Sequence, residues 1–174
     1  MRRKARLIVL VLVAAGLSVL FQAGQTVEAA AEPAASTAPR FDLVTLAGEA
    51  YSKESLKGRP ALLVFWAPWC PVCRKELPIL ARFYEQEKSA SLQVVAVGFS
   101  DMRGNVEAYV KSHPETFVFP TAYEEENWTA QAFKVTATPT FILLDSQGNI
   151  QLVHRGGGID QNPKYREFLA GLKR

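Results

Sequence analysis

An apolar run that leads almost directly into a pair of cysteines is the feature that most restricts the fold of this chain. Residues 61–66 read ALLVFW, and CPVC follows at 70–73. A continuous apolar run of this length is typical of a strand buried on both faces. Apolar residues then recur at helical spacing, so we expect a helix from about Cys70 to Lys88, bent at Pro78 because proline lacks an N–H.

The remaining pattern alternates short strands and helices. Strands are expected at 41–46, 92–99, 141–144 and 150–154, a helical turn at 52–57, and helices at 105–112, at 124–133 and from Pro163, with Asn162 as its N-cap. Such alternation predicts an α/β layered domain with a mixed central sheet. We expect His113, His154 and the acidic run 124–126 to be surface features, and Gly156–Gly158 to be a flexible turn.

The N-terminal segment has the pattern of an export signal. Four basic residues precede an uncharged apolar run, residues 7–21, and small residues follow at 29–31. Fifteen apolar residues are short for a membrane span, although an uncleaved anchor remains open. We therefore expect residues 1–31 to be a signal peptide or an N-terminal membrane anchor, residues 32–39 a linker, and residues 40–174 one domain.

The net charge of the chain comes from this segment. It contains four of the 20 basic residues and one of the 17 acidic residues, which leaves 16 of each in the remainder. The predicted domain is therefore close to neutral, and its sequence has no basic patch that would indicate a nucleic-acid partner.

The two cysteines allow several chemistries. A structural zinc site needs four ligands, and the only histidines, His113 and His154, are not in a paired spacing. Haem attachment needs a histidine directly after the second cysteine, where this chain has Arg74. A purely structural bridge across so short a loop would add only about 2 kcal/mol in the loop-entropy model.

A redox dithiol fits the position best. At the start of a helix, backbone N–H groups and the helix dipole stabilise a thiolate at Cys70, with positive potential added by Arg74 and Lys75. Cys73, one turn further, is expected to be shielded and to act as the resolving thiol.

The segment VFWAPWCPVCRKELP resembles the active site of the thioredoxin superfamily, and the similarity covers nearly all of residues 39–174. The spacer from 92 to 133 resembles the insertion of the TlpA/ResA/CcmG branch, which contains exported thiol–disulfide oxidoreductases of cytochrome c maturation and related reductions. The resemblance implies a thioredoxin-like fold with this strand–helix insertion, an attacking Cys70 and a resolving Cys73.

The same resemblance implies further site residues. Pro139, preceded by Thr138, matches the cis-proline beside the dithiol, and a bound peptide is expected to pair with the main chain of Thr138. Trp69 and the intervening Pro71 and Val72 are expected to contact substrate. Trp66 matches a second flanking aromatic, for which core packing is the favoured interpretation.

One acidic residue departs from thioredoxin proper. The buried aspartate six positions before the first cysteine is replaced by Val64, and Glu76 stands where the ResA-like branch has a glutamate. Glu76 is expected to be catalytic as a proton acceptor for Cys73. The alternative is a carboxylate that only complements the helix dipole.

The expected function is therefore the reduction of protein disulfides, with apocytochrome c as one candidate substrate, in the periplasm or at the outer face of a bacterial inner membrane. Electrons would come from a membrane-embedded thiol reductase, and neither a cofactor nor a metal is expected. A dithiol oxidase of the same fold and a thioredoxin-like copper chaperone remain alternatives. A peroxiredoxin is less consistent with the sequence, since Ala67 stands three residues before Cys70.

Overall fold

The computed structural model describes residues 36–86 and 91–172, so the predicted export signal lies outside the described residues. The bounds of the strands are β1 Ser36–Thr37, β2 Asp42–Val44, β3 Ala50–Ser52, β4 Ala61–Trp66, β5 Gln93–Gly98, β6 Thr121–Tyr123, β7 Thr140–Leu144 and β8 Asn149–Arg155. Those of the helices are α1 Pro71–Gln86, α2 Arg103–Ser112, α3 Trp128–Ala132 and α4 Pro163–Leu172. A short 3₁₀ helix, Ile159–Gln161, precedes α4.

Six strands form one mixed sheet in the order β1-β8-β7-β4-β5-β6. Strand β4 lies near its centre, parallel to β5 and antiparallel to β7, and β6 continues the parallel part beyond β5. Strands β2 and β3 form a separate two-stranded hairpin. The mixed sheet and the α/β architecture expected from the sequence are confirmed.

The sheet has an apolar cluster on each face. Alternate side chains of β4 divide between them, because successive residues of a strand point to opposite faces. Leu62, Val64 and Trp66 belong to the cluster that also contains both cysteines. Leu63 and Phe65 belong to the other cluster. All six residues of β4 are buried, as the continuous apolar run predicts.

The helical turn expected at 52–57 is present, since the Leu56 N–H donates to the Ser52 carbonyl oxygen at 3.1 Å, although Ser52 itself ends β3. One expected element differs in the structure. Part of the predicted linker belongs to the sheet, since Ser36 and Thr37 pair with Ile150 and Asn149 of β8. Backbone hydrogen bonds make this pairing, so a linker-like composition of small and polar residues does not prevent it.

No helix within the described ranges, 36–86 and 91–172, is long and apolar enough to span a bilayer.

Candidate active site at the end of the parallel strands

The loops that follow the three parallel strands meet at one edge of the sheet. Trp69 and Cys70 follow β4, Ser100 follows β5, and Asn127 follows β6. The indole Nε1–H of Trp69 donates to the Ser100 carbonyl oxygen at 3.1 Å. The Ser100 N–H in turn donates to Oδ1 of Asn127 at 2.9 Å. Ligand sites of open α/β sheets form at this edge, outside the carboxyl ends of the strands.

Cys70 and Cys73 form a disulfide at this edge, with their Cα atoms 5.3 Å apart. Cys70 is 2% exposed and Cys73 is fully buried. The shielding expected for Cys73 is therefore present, and Cys70 is also largely covered in the disulfide form.

Cys70 occupies the N-cap position of α1. The Cys73 N–H donates to Sγ of Cys70 at 3.0 Å, as the third N–H of a helix does to the side chain of a serine N-cap. Pro71 takes the first helical position, where its missing N–H costs no hydrogen bond. The first turn contains no acidic residue. A sulfur at this position receives a backbone N–H and the positive end of the helix dipole, both of which favour a thiolate.

The side chain of Arg74 is directed toward the loop before the cysteines. Its Nε donates to the Pro68 carbonyl oxygen at 2.8 Å. Its guanidinium carbon lies 5.8 Å from the centre of the Tyr109 ring, within the range of a cation–π contact. Arg74 thus connects the start of α1 to α2 and also contributes positive charge close to the site.

The residues expected to contact substrate lie at the edge of the sheet where the disulfide forms. Trp69, Pro71 and Val72 are neighbours of the cysteines in sequence, and Thr138 and Pro139 precede Thr140, which pairs with Phe65 near the end of β4. Trp69 is 54% exposed and Val72 is 42% exposed, and Pro71 is also exposed. Thr138 is half-buried and Pro139 is buried. The Thr138–Pro139 peptide bond is cis, as the resemblance implies. The Pro139 carbonyl oxygen accepts a hydrogen bond from the Gly156 N–H at 2.8 Å.

Glu76 lies one helical turn after Cys73 and is half-buried. Its Oε2 accepts a hydrogen bond from the Gly158 N–H at 2.8 Å. A Cβ atom on Gly157 would lie 2.5 Å from its Oε1, so the loop backbone packs directly against the carboxylate. This position is beyond the first turn of α1, and the partner of the carboxylate is a loop N–H from another part of the chain.

The segment Gly156–Gly158 is therefore more than the flexible turn expected from the sequence. It bonds Pro139 on one side and Glu76 on the other. Gly156 and Gly158 have φ values of +88° and +80°, a conformation that side chains with a Cβ rarely adopt. Three consecutive glycines after a strand are the sequence signal for such a close approach of the backbone.

Trp66 packs in the core, which is the interpretation that the sequence favours for this residue. It is fully buried, and its ring lies 4.7 Å from that of Phe117 and 5.6 Å from that of Tyr109. The insertion thus supplies the aromatic partners of the last residue of β4.

A groove of about 440 Å³ runs beside the disulfide, between the start of α1 and α2. Its walls include Trp69, Arg74, Asp101 and Tyr109. Met102 and Trp128, 70% and 73% exposed, follow the loops after β5 and β6. No sequence pattern marks these two apolar residues, because only the fold brings their loops to the edge where Trp69 lies.

Metal-binding side chains do not cluster in the described part of the chain. Within residues 36–86 and 91–172, no three His, Cys, Asp or Glu residues come together in a group that could hold an ion.

Known proteins with similar sequences include a thioredoxin-like protein and thiol–disulfide oxidoreductases. The thioredoxin-like protein YneN of Bacillus subtilis is 37% identical over 121 residues, which are 68% of this chain and 69% of YneN. The thiol–disulfide oxidoreductase ResA of Halalkalibacterium halodurans is 27% identical over 168 residues, 97% of this chain and 93% of ResA.

Solved structures have the same fold. A thiol:disulfide interchange protein of the thioredoxin family from Chlorobium tepidum superposes with a TM-score of 0.67 at 27% identity, over 80% of this chain and 99% of its own. StoA from Bacillus subtilis gives a TM-score of 0.64 at 25% identity, over 80% of this chain and 99% of the StoA chain. The fold is thus thioredoxin-like, and the relatives include proteins named thiol–disulfide oxidoreductases.

The Redoxin family model matches residues 33–169, which contain the disulfide, Glu76, the cis-proline and the glycine loop. The chain belongs to the Redoxin family, as a thiol–disulfide oxidoreductase of the TlpA/ResA/CcmG-like type.

Proposed function

We propose that this enzyme reduces protein disulfides outside the cytoplasm, using Cys70 and Cys73 as its dithiol. The observation that carries the proposal is the position of Cys70 as the N-cap of α1, where the Cys73 N–H reaches its sulfur at 3.0 Å. That geometry favours the thiolate of Cys70 as the attacking group.

The reaction transfers two electrons from the dithiol to the substrate disulfide and releases one proton, that of Cys73. The Cys70 thiolate attacks one sulfur of a substrate disulfide, a mixed disulfide forms, and the other substrate sulfur leaves as a thiolate. Cys73 then loses its proton and attacks Sγ of Cys70. The Cys70–Cys73 disulfide forms, and the second substrate sulfur leaves as a thiolate. The substrate has gained the two electrons that the dithiol has lost.

Glu76 is proposed as the group that accepts the proton of Cys73, directly or through one water molecule. It lies on the same helix, one turn beyond Cys73, in a half-buried position. The exposed faces of Trp69, Pro71 and Val72 are proposed to contact the substrate. A substrate strand is proposed to pair with the main chain of Thr138, beside Pro139, which has no N–H to offer.

We also propose where the enzyme acts, what reduces it and which proteins it reduces. Residues 1–31 direct the protein across the membrane as a cleaved signal or an anchor, and the enzyme acts in the periplasm or on the outer face of the bacterial inner membrane. A membrane-embedded thiol reductase re-reduces the disulfide. The substrates include disulfides of apocytochrome c.

Trapping of mixed disulfides tests the roles of the two cysteines. Cys73→Ser leaves Cys70 able to attack but removes the resolving thiol, so the variant should accumulate mixed disulfides with substrate proteins. Cys70→Ser is the matched control and should trap few. Equal trapping by both variants, or alkylation of Cys73 before Cys70 in the reduced protein, would contradict the assignment.

The direction of electron flow is tested by equilibrium with glutathione redox buffers of known potential. A reductase should have a potential nearer to that of thioredoxin, about −270 mV, than to that of the oxidant DsbA, about −120 mV. A reduction potential near that of DsbA would make the enzyme a dithiol oxidase.

A further inference from the structure

We propose that His154 is a positioning residue for the dithiol: it fixes the Gly156–Gly158 loop, and through that loop it sets the place of the Glu76 carboxylate. The inference rests on the role proposed for Glu76 in resolution. It concerns a histidine that the sequence marks only as a surface feature, and that lies on β8, after the cis-proline strand β7.

The first step is the contact between His154 and the loop. Nε2 of His154 lies 2.9 Å from the Gly157 carbonyl oxygen. A carbonyl oxygen only accepts hydrogen bonds, so Nε2 must carry the proton and donate it. This bond restrains the Gly157–Gly158 peptide of a loop whose first and last glycines both have positive φ.

The second step is what holds the imidazole ring itself. Nδ1 of His154 lies 3.2 Å from Nδ2 of Asn162. The amide orientation of Asn162 is set by its other end, because Oδ1 accepts the Tyr165 N–H at 3.2 Å as the N-cap of α4. Asn162 therefore presents its NH₂ group to the ring, and Nδ1 accepts. Both ring nitrogens are used, with the proton on Nε2.

The third step is what the loop holds. Gly158 donates its N–H to Oε2 of Glu76 at 2.8 Å. Gly157 is packed so closely against the same carboxylate that a Cβ atom would not fit without a shift of the glutamate. Gly156 donates its N–H to the Pro139 carbonyl oxygen. One short loop thus connects the proposed proton acceptor with the cis-proline. His154 donates to the carbonyl of the same Gly157–Gly158 peptide group whose N–H reaches Glu76.

These contacts form one continuous path from α4 to the dithiol helix. It runs from the N-cap Asn162 to the ring of His154, then to the Gly157 carbonyl, the Gly158 N–H and Glu76. A network in which each polar group is satisfied fixes a single geometry, and the loss of one member loosens the rest. The hydrogen bonds of His154 are to the loop and to Asn162, so its effect on the reaction passes through the loop.

The test compares His154→Leu, which fills space without a donor, with His154→Gln, whose amide can donate to Gly157 and accept from Asn162. His113→Leu is the matched control, since His113 is the only other histidine and contacts Tyr109 and Ser112 instead. Hydrogen exchange of the Gly158 amide reports on the loop without any need for activity. The rate at which Cys73 resolves a preformed mixed disulfide at Cys70 reports on the reaction.

We expect His154→Leu to lower protection of the Gly158 amide and to slow resolution, each about fivefold to tenfold, the loss typical of one hydrogen bond. Both values should recover in His154→Gln and stay at the parent level in His113→Leu. The double variant with Glu76→Gln should resolve no more slowly than Glu76→Gln alone, because the two residues act in series.

The inference would be overturned if exchange protection of the Gly158 amide were unchanged in His154→Leu. It would also be overturned if the double variant resolved the mixed disulfide more slowly than Glu76→Gln alone, by the full factor that His154→Leu causes by itself. If Glu76→Gln resolved as fast as the parent, the route through Glu76 would be wrong. A parent enzyme that failed to reduce protein disulfides would instead refute the proposed function, while the Gly158 exchange would still decide whether His154 holds the loop.

Discussion

At the scale of single residues, the chemistry depends on which backbone groups reach the reactive side chains. The sulfur of Cys70 receives an N–H from within its own helix, and the carboxylate of Glu76 receives one from a loop 82 positions further along the chain. The first contact is local and follows from the CPVC spacing. The second needs the whole fold, which is why the sequence predicted an acidic residue near Cys73 but not its partner.

Gly157→Ala tests the close approach of the loop to Glu76. The added methyl group would lie 2.5 Å from Oε1, and the flexible end of the glutamate must move to make room. We expect a small loss of stability, about 1 kcal/mol, but a resolution rate close to that of Glu76→Gln. Gly104→Ala is the control, because a Cβ there meets nothing within 4 Å and alanine favours a helix. Resolution at the parent rate in Gly157→Ala would show that the contact does not matter.

Glu76→Gln tests the carboxylate itself. The amide keeps the shape of the side chain but cannot accept the proton of Cys73. We expect slower reduction of a protein disulfide and a changed pH dependence of thiol alkylation, with the circular dichroism spectrum unchanged. A variant that turns over and alkylates like the parent from pH 5 to 9 would favour the helix-dipole interpretation.

At the scale of elements, the sequence predicted the long apolar strands and the amphipathic helices well. Strand β4 and the start of α1 lie where the ALLVFW run and the cysteine pair place them, because burial on both faces leaves a strong pattern. Asn162 caps α4 as expected. Elements that depend on backbone pairing were missed: β1 and β3 have two and three residues and no distinctive side-chain pattern.

The third predicted helix was too long at its start. Residues 124–127 precede α3, and Glu124 lies outside the helix that it was expected to begin. Its carboxylate nevertheless accepts the N–H groups of Thr129 and Ala130 at 2.7 and 3.1 Å. Glu124 thus bonds the start of α3 from outside the helix, and the strand β6, Thr121–Tyr123, extends the sheet just before it.

The turn between β7 and β8 depends on the ionised form of Asp145. Burial opposes ionisation, but hydrogen bonds from Asn149, Gln147 and Gln151 outweigh it and lower the pKa of Asp145 below its ordinary value of 3.8. A lowered pKa in the folded state means that the carboxylate adds stability above pH 3.8, and that this stability is lost as the pH falls through the folded-state pKa.

Asp145→Asn should therefore cost about 1–2 kcal/mol at pH 7, since the new NH₂ group faces donors, and the difference from the parent should shrink toward pH 2. Urea unfolding of the parent and of Asp145→Asn at several pH values measures this difference in the free energy of unfolding. Asp42→Asn is a suitable control, because Asp42 is exposed and lies on β2, away from this turn. If the loss of stability in Asp145→Asn did not change with pH, the negative charge of Asp145 would contribute nothing to stability.

At the scale of the whole molecule, stability is expected to be highest where the sheet is covered on both faces. Strand β4 is paired on both sides, and its side chains enter both apolar clusters. Strand β1 pairs through two residues at the edge, and the hairpin of β2 and β3 is not part of the main sheet.

Native-state hydrogen exchange should follow this arrangement. Amides of β4 and β7 should exchange only by global unfolding, with protection equal to the free energy measured in urea, while those of β1 and of the β2–β3 hairpin should exchange through local opening. The measurement is exchange against low concentrations of denaturant. Equal protection in β1 and β4 would indicate that the described unit unfolds as a single block.

The placement of both sulfurs in one apolar cluster has an evolutionary consequence. Substitutions among Leu63, Phe65 and their neighbours alter packing on the face of the sheet that contains neither sulfur. Substitutions around Leu77 and Ile159 occur in the cluster that surrounds the disulfide. Residues on the face without the sulfurs can therefore change the thermal stability of the protein while the packing around the disulfide stays the same. Selection can then act on stability and on thiol reactivity separately.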